Sequence, residues 1–145
     1  PYTYAHSDGY TNYTHYNQPL AHPLGANLYE YLGLIRYQPI SKLRLTAKAF
    51  YVKTGIDTLG SNWGSNVLLD YRDREREHGN FIGQGVATTI KFASLTVSYQ
   101  ITHNMFADLT HTIRKSDSTL DTYDSNTNFT TLSLRWNIPQ RLHEF

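Results

Sequence analysis

The chain has 145 residues, with 13 Lys and Arg against 12 Asp and Glu, and it contains no cysteine. A formal charge of +1 gives no electrostatic argument for a nucleic-acid partner, and the lack of cysteine excludes disulfides, thiolate metal sites and cysteine nucleophiles. Hydrophobic residues make up only 39%, yet 12 tyrosines bring the aromatic share to 14%. Tyrosine has an apolar ring and a polar hydroxyl, so this bias is typical of interfaces between an apolar medium and water.

Secondary structure is indicated by alternation with a period of two residues, which predicts an all-β fold. No stretch approaches the 18 or so consecutive apolar residues of a transmembrane helix. If the chain crosses a membrane, we expect it to do so as antiparallel strands of a barrel, because lipid cannot satisfy open backbone groups.

Residues 1–27 precede the first strand and are rich in proline and tyrosine. We expect them to form an extracellular or lumenal segment whose backbone is fixed by Pro19, Pro23 and Gly25. Its polar side chains predict a cluster in the lumen or at the rim of a barrel, made of His15, Asn17, Gln18 and His22. A rigid, hydrogen-bonded loop explains these side chains better than a metal site does, since metal ligands must converge.

The alternation predicts five strands in residues 28–145, at about 28–37, 43–53, 83–92, 95–113 and 128–138. Short turns are predicted at 39–42 and 93–94, and long loops at about 54–82 and 114–127. Short turns on one side and long loops on the other are typical of outer-membrane barrels. The run that starts at Leu95 continues for far longer than an average soluble strand.

Five strands cannot close a membrane barrel, for which about eight are the minimum. The chain is therefore expected to supply about five carboxy-terminal strands of a larger antiparallel transmembrane β-barrel. In this orientation the long loops lie outside the cell and the carboxy terminus is periplasmic.

The longest predicted loop carries a run of mixed charge. Its candidate surface-contact residues are Asp70, Arg72, Asp73, Arg74, Arg76 and Glu77. They are expected to contact a polar partner such as a glycan or a protein, or else to form solvated local ion pairs that stabilise little.

Catalytic, cofactor-binding and metal-binding residues are not predicted. The carboxylates lie on different predicted elements, and the sequence has no nucleophile elbow, phosphate-binding loop or metal-ligand spacing. We therefore expect a protein that is not an enzyme and that needs no cofactor.

Two segments carry a resemblance to a known family. The first is residues 13–27 (YTHYNQPLAHPLGAN), and the second is the alternation Leu132, Leu134, Trp136 and Ile138 followed by the terminal Phe145. These segments, with residues 29–30 and 43–51, resemble outer-membrane barrels of gliding Bacteroidota, the RemB-like gliding-motility and Wzi-like capsule-assembly proteins. The resemblance implies a surface-exposed barrel without enzymatic activity.

The function expected from these observations is that of an outer-membrane surface component, in gliding, adhesion, secretion or surface-polysaccharide handling. Expected partners are outer-membrane lipid and other surface or secretion proteins, with polysaccharide as a further candidate and nucleic acid excluded. Two alternatives remain open. One is a solute channel lined by Lys48, Lys91 and Arg135, and the other is a soluble glycan-binding β-domain.

Overall fold

The computed structural model describes residues 1–8, 11–58 and 60–137 and shows an all-β chain, so the predicted antiparallel β class is confirmed. Seven strands are present in this part of the chain: β1 (Thr14–His15), β2 (Gln18–Pro19), β3 (Leu28–Ile40), β4 (Leu43–Ile56), β5 (Val86–Thr102), β6 (Met105–Ser118) and β7 (Ser125–Trp136). The last five form one sheet in the order β3-β4-β5-β6-β7. No helix in the described ranges is long and apolar enough to span a membrane.

The connections of this sheet alternate in length. Only Ser41 and Lys42 separate β3 from β4, and only His103 and Asn104 separate β5 from β6. The other two connections are residues 57–85, which include the 3-10 helix Tyr71–Asp73, and the shorter 119–124, with the 3-10 helix Asp121–Tyr123. The second loop is shorter than the predicted 114–127, because β6 continues to Ser118 and β7 begins at Ser125.

The predicted hairpin at Ala93–Ser94 is wrong. Strand β5 runs without interruption from Val86 to Thr102, and the turn lies ten residues later. Apolar side chains occupy even positions up to Phe92 and odd positions from Leu95, and a turn is predicted where this phase changes. In the structure the chain stays extended, and the apolar side chains change from one side of the strand to the other. Lys91 therefore lies on the same side as Leu95 and not on that of Ser94.

The actual turn depends on Asn104. Its φ of 62° lies in the left-handed region, which asparagine tolerates better than most residues because its short side chain makes local hydrogen bonds. A residue in this conformation lets a short connection reverse the chain with the twist that the flanking strands need. The carbonyl of Asn104 also accepts from the backbone N–H of Asn137 at 2.8 Å, next to the end of β7.

The sheet does not close on itself within the described residues. Strands β3 and β7 stand at its two ends, and no pairing joins them. The structure therefore establishes an open five-stranded sheet and not a barrel. The predicted terminal residues Ile138 and Phe145 lie outside the described residues.

The chain divides into two compact units. The first, which we call the loop unit, comprises Pro1–Tyr31, Phe50–Lys91 and Lys115–Asn126. The second, the strand unit, comprises Leu32–Ala49, Phe92–Arg114 and Thr127–Phe145, of which the structure describes residues up to 137.

The strand unit has two different faces. A groove on one face is lined mostly by small and apolar residues, among them Gly33, Ile35, Ala47, Leu95 and Ile113. Lys48, Ser94 and His111 also border it, although strand alternation directs the side chains of Lys48 and Ser94 to the other face. The opposite face carries hydroxyl pairs across β5 and β6, in which Ser94 meets Thr112 at 3.2 Å and Thr96 meets Thr110 at 3.0 Å. We call these the apolar face and the polar face.

Candidate functional site

The long loop is held by one buried asparagine. Asn27 is 4% exposed, and its side-chain amide donates to the carbonyl oxygens of Gly55 at 3.1 Å and Gln84 at 2.8 Å. Its side-chain oxygen accepts from the backbone N–H of Gly83 at 2.8 Å, and its carbonyl accepts from Gly55 at 3.1 Å. A single side chain thus ties together the start of β3, the end of β4 and the end of the loop.

Gln84 forms a second anchor in the loop unit. It is 2% exposed and donates from Nε2 to the carbonyl oxygen of Trp63 at 2.9 Å and to Oδ1 of Asn80 at 3.0 Å. Its side-chain oxygen accepts from the backbone N–H of Phe81 at 3.2 Å. Because buried polar groups are costly without partners, these bonds select one conformation for the segment.

The carboxylate of Asp57 organises the beginning of the loop. It accepts backbone N–H bonds from Trp63 at 2.7 Å, Ser65 at 3.1 Å and Asn66 at 2.7 Å. Next to it, the amide of Asn62 donates to the carbonyl oxygen of Asp70 at 2.8 Å. The long loop is therefore built from side-chain bonds to the backbone rather than from regular secondary structure.

Sequence reasoning missed these anchors: Asn27, Asp57, Asn62 and Gln84. A signal did exist for one of them, since Gln84 stands between Gly83 and Gly85, which both have a φ of 87°. Two glycines in the left-handed region around a single polar residue indicate a close backbone approach, which requires that the enclosed side chain find buried partners.

The predicted contact residues 70–77 lie in the loop unit, but they bind mostly to one another. Arg72 pairs with Asp70 at 2.6 Å, and Arg74 pairs with Glu77 at 3.1 Å. Arg76 lies over the ring of Trp63, 5.6 Å from its centroid. Asp73 borders an open polar cleft together with Tyr123.

Three residues of the predicted polar cluster lie in the small hairpin of β1 and β2. These are His15, Asn17 and Gln18, all exposed, and Asn17 has a φ of 59°. His22 follows the hairpin and is half-buried, with its Nε2 2.7 Å from a carboxylate oxygen of Glu30 in β3.

Asp70 is a titratable group of the long loop whose pKa is shifted by a neighbouring residue. The side chain of Arg72 donates to both of its carboxylate oxygens, and the backbone N–H of Arg72 adds a bond at 2.8 Å. These bonds, first of all those from the guanidinium, hold the pKa of Asp70 below its ordinary value. The pair therefore contributes its stability above the ordinary pKa of an aspartate and loses it as the pH falls through the lowered value.

We expect Arg72→Gln to raise the pKa of Asp70 toward the ordinary value of about 3.9, without reaching it, because the backbone bond remains. Arg76→Gln is the matched control, since Arg76 stacks on Trp63 instead. Carbon-13 NMR titration of the Asp70 carboxyl in the purified protein measures both variants. An equal shift in the two variants would contradict the assignment of the effect to the Asp70–Arg72 pair.

The polar face of the strand unit holds a cluster around Asp108. Ser98 donates to one carboxylate oxygen of Asp108, and Nε of Arg135 donates to the other at 3.0 Å. The guanidinium of Arg135 also lies 4.4 Å from the centroid of the Phe106 ring. The cluster thus joins β5, β6 and β7 on one face.

The described residues contain no group of three or more His, Cys, Asp or Glu side chains placed to hold a metal ion. The chemistry that the described arrangement supports is binding through hydroxyl, amide and guanidinium groups. No protein-family model, no curated protein and no solved structure matches this chain.

Proposed function

We propose that this chain forms part of the wall of a bacterial outer-membrane β-barrel that acts by binding at the cell surface and not by catalysis. The observation that carries the proposal is the contrast between the two faces of the strand unit. In the proposed arrangement the apolar face contacts lipid, the polar face contacts a water-filled lumen, and the long loops lie outside the cell.

The apolar face supports this proposal because large apolar side chains remain exposed on it. Leu132, Leu134 and Ile35 are 78%, 67% and 69% exposed, and no second layer packs on them within the described residues of the strand unit. A soluble sheet normally buries such a face against a core. His111, also on this face, contacts the hydroxyl of Thr130 at 2.9 Å, so its polar atom has a partner there.

The polar face supports the same arrangement because its groups bind one another. The hydroxyl pairs step along β5 and β6 by two residues at a time, and they end in the Ser98–Asp108–Arg135 cluster. A face whose polar groups are hydrogen-bonded to one another in this way is suited to contact with water.

Aromatic side chains occur toward both ends of the strands. In the loop unit, Tyr29, Tyr31 and Tyr51 form a cluster with ring centroids 5.7 to 6.5 Å apart. In the strand unit, Tyr37 and Trp136 lie near the other ends of β3 and β7. Two aromatic bands around an apolar band are typical of membrane barrels.

The open edges of the sheet favour a barrel larger than this chain. The edge strands β3 and β7 have 13 and 12 residues, and within the described residues each has one unpaired edge. Unpaired edges pair readily with other strands, and a closed barrel leaves no edge. The further strands are proposed to come from the same polypeptide. With the resemblance to RemB-like and Wzi-like proteins, we propose roles in gliding, adhesion, secretion or polysaccharide handling, with surface proteins or polysaccharide as partners of the loops.

The test uses single cysteines, since the 145 residues contain none. Spin labels at Val97→Cys on the apolar face and Thr96→Cys on the polar face form a matched pair, because the two residues are neighbours and both half-buried. In native outer membrane we expect the label at position 97 to collide with oxygen dissolved in lipid, and the label at position 96 to collide with a water-soluble nickel complex. Equal access of the nickel complex to both positions would exclude the membrane wall and favour a soluble β-domain.

Orientation is tested in intact cells. A membrane-impermeant maleimide is expected to label Glu77→Cys in the long loop and to label Lys42→Cys, in the short turn, only after the cells are broken. Labelling of position 42 alone would reverse the proposed orientation.

A further inference from the structure

We infer that the polar face of the strand unit binds small multivalent anions that carry phosphate or carboxylate groups. The inference rests on the proposed function in one respect, namely that this face lines a lumen that solutes reach. It extends the proposed function by naming the chemical class of those solutes.

Basic residues strongly outnumber acidic residues in the strand unit. Its described residues contain six basic side chains and a single acidic one, Asp108, whereas the whole chain is nearly neutral. The basic residues are Arg36, Lys42, Arg44, Lys48, Arg114 and Arg135. Lys42 lies in a short turn, and the other five belong to strands.

Strand geometry places these five residues on one face. The ammonium of Lys48 lies 6.0 Å from the centroid of the Phe92 ring, and Phe92 shares a face with Ser94 because alternate residues point to the same side. The same alternation brings Arg44 to the face of Lys48 and Arg114 to the face of Thr112. Arg36 lies opposite Ile35, a residue of the apolar groove.

The single carboxylate of the unit is already bound. Asp108 accepts from Arg135 and from Ser98, so its charge offsets one guanidinium. The described residues of the strand unit, six basic and one acidic, therefore carry a net formal charge of +5. Arg36 and Arg44 are exposed, and within the described residues neither takes part in an ion pair.

A concentration of like charges on one wall raises the local concentration of counter-ions. Charged clefts with low-dielectric walls increase it by about 10- to 1000-fold, and rings of Arg or Lys give selectivity for anions in pores. Guanidinium groups present paired N–H donors whose geometry matches phosphate and carboxylate. A multivalent anion contacts several of these residues at once and is favoured over chloride.

Lys91 supplies the control for total charge. It belongs to the loop unit and is not one of the five residues. Lys91→Gln and Lys48→Gln change the total charge of the chain by the same amount, so a difference between them comes from the position of the charge.

The experiment measures the electrostatic potential at a single thiol. Thr46 stands between Arg44 and Lys48 on the same face and is half-buried, and each basic residue is about 7 Å away along the strand. The full-length protein with Thr46→Cys is treated with a negatively and a positively charged methanethiosulfonate reagent in about 0.1 M salt, where the Debye length is about 10 Å. Rates are normalised to those of a neutral small-molecule thiol.

We expect the anionic reagent to react at least about tenfold faster than the cationic one. Arg44→Gln or Lys48→Gln should lower this ratio about threefold each, as expected for one screened charge at this distance, while Lys91→Gln leaves it unchanged. Inorganic phosphate should slow the anionic reagent more than sodium chloride of equal ionic strength does.

A ratio near one would overturn the inference, and so would an equal effect of Lys48→Gln and Lys91→Gln. Failure of both reagents to react would overturn it as well, because water-borne anions would then not reach this face. If the ratio is high but the Val97 label contacts water, the anion-binding face stands on a soluble sheet and the membrane proposal fails. The two proposals therefore fail on different measurements.

Discussion

Replacement of Asn27 with alanine is expected to open the base of the long loop. The variant loses the bonds to the carbonyl oxygens of Gly55 and Gln84 and the acceptor for the N–H of Gly83. Three buried hydrogen bonds contribute about 1 kcal/mol each, and more when their partners are left unsatisfied. We expect a loss of about 3 kcal/mol, which is about 100-fold in the local opening equilibrium.

Hydrogen exchange of the amides of Gly55 and Gly83 in the full-length protein measures this effect. The matched control is Asn17→Ala, because Asn17 has nearly the same backbone φ, 59° against 58° for Asn27, but is exposed. Both variants carry the same strain of alanine in the left-handed region, so their difference isolates the buried bonds. Equal loss of protection in the two variants would show that Asn27 acts through its backbone conformation alone.

A second large effect is expected at Gly55, the strand residue that faces Asn27. A β-carbon added here would overlap the carbonyl oxygen of Gln84 and lie about 2.5 Å from the amide nitrogen of Asn27. Both neighbours are held by hydrogen bonds, so neither moves without breaking the anchor. We expect Gly55→Ala to lower the free energy of unfolding of the loop unit by about 3 kcal/mol, the upper range for overpacking.

Gly33→Ala is the control for this prediction. Gly33 is also a strand glycine, but the nearest atom to an added β-carbon is the carbonyl oxygen of Ala49, at 4.0 Å. Because alanine restricts the unfolded chain, this variant should be neutral or slightly more stable, by up to about 1 kcal/mol. Urea titrations of the two variants and the parent protein compare them, and a neutral Gly55→Ala would contradict the close approach.

The two predictions concern the same structural feature, the buried hydrogen bonds at the base of the long loop. A loop of 29 residues between β4 and β5 (residues 57–85) needs many bonds to keep one conformation, since the entropy of ordering it is large. Asn27 and Gln84 supply such bonds from inside, and Asp57 supplies them at the beginning. A loop held in this way keeps exposed side chains, such as Arg72 and Glu77, in constant positions.

The charge run from Asp70 to Glu77 forms local contacts, as the second of its two predicted interpretations requires. Arg72 and Arg74 each have an acidic partner within the run, and Arg76 stacks on Trp63. Local ion pairs of this kind stabilise little, but they lower the net charge that the loop presents. The imbalance of charge lies instead in the strand unit, where the sequence predicts Lys48 and Arg135, together with Lys91 of the loop unit, as the lining of a channel.

Sequence alone determined the class of this protein and most of its strands. Alternation with a period of two is local, so it predicted β3, β4 and β7 to within a few residues. Tertiary structure decided what alternation cannot distinguish. A change of apolar phase at Phe92 to Leu95 is compatible with a turn or with one continuous strand, and pairing with β4 and β6 selects the strand. The hydrogen-bond partners of the loop anchors Asn27 and Gln84 could not be predicted from the sequence, because these bonds join residues up to 57 positions apart. The contribution of such a hydrogen bond to stability depends on its burial, and burial is a property of the assembled fold and not of any local segment.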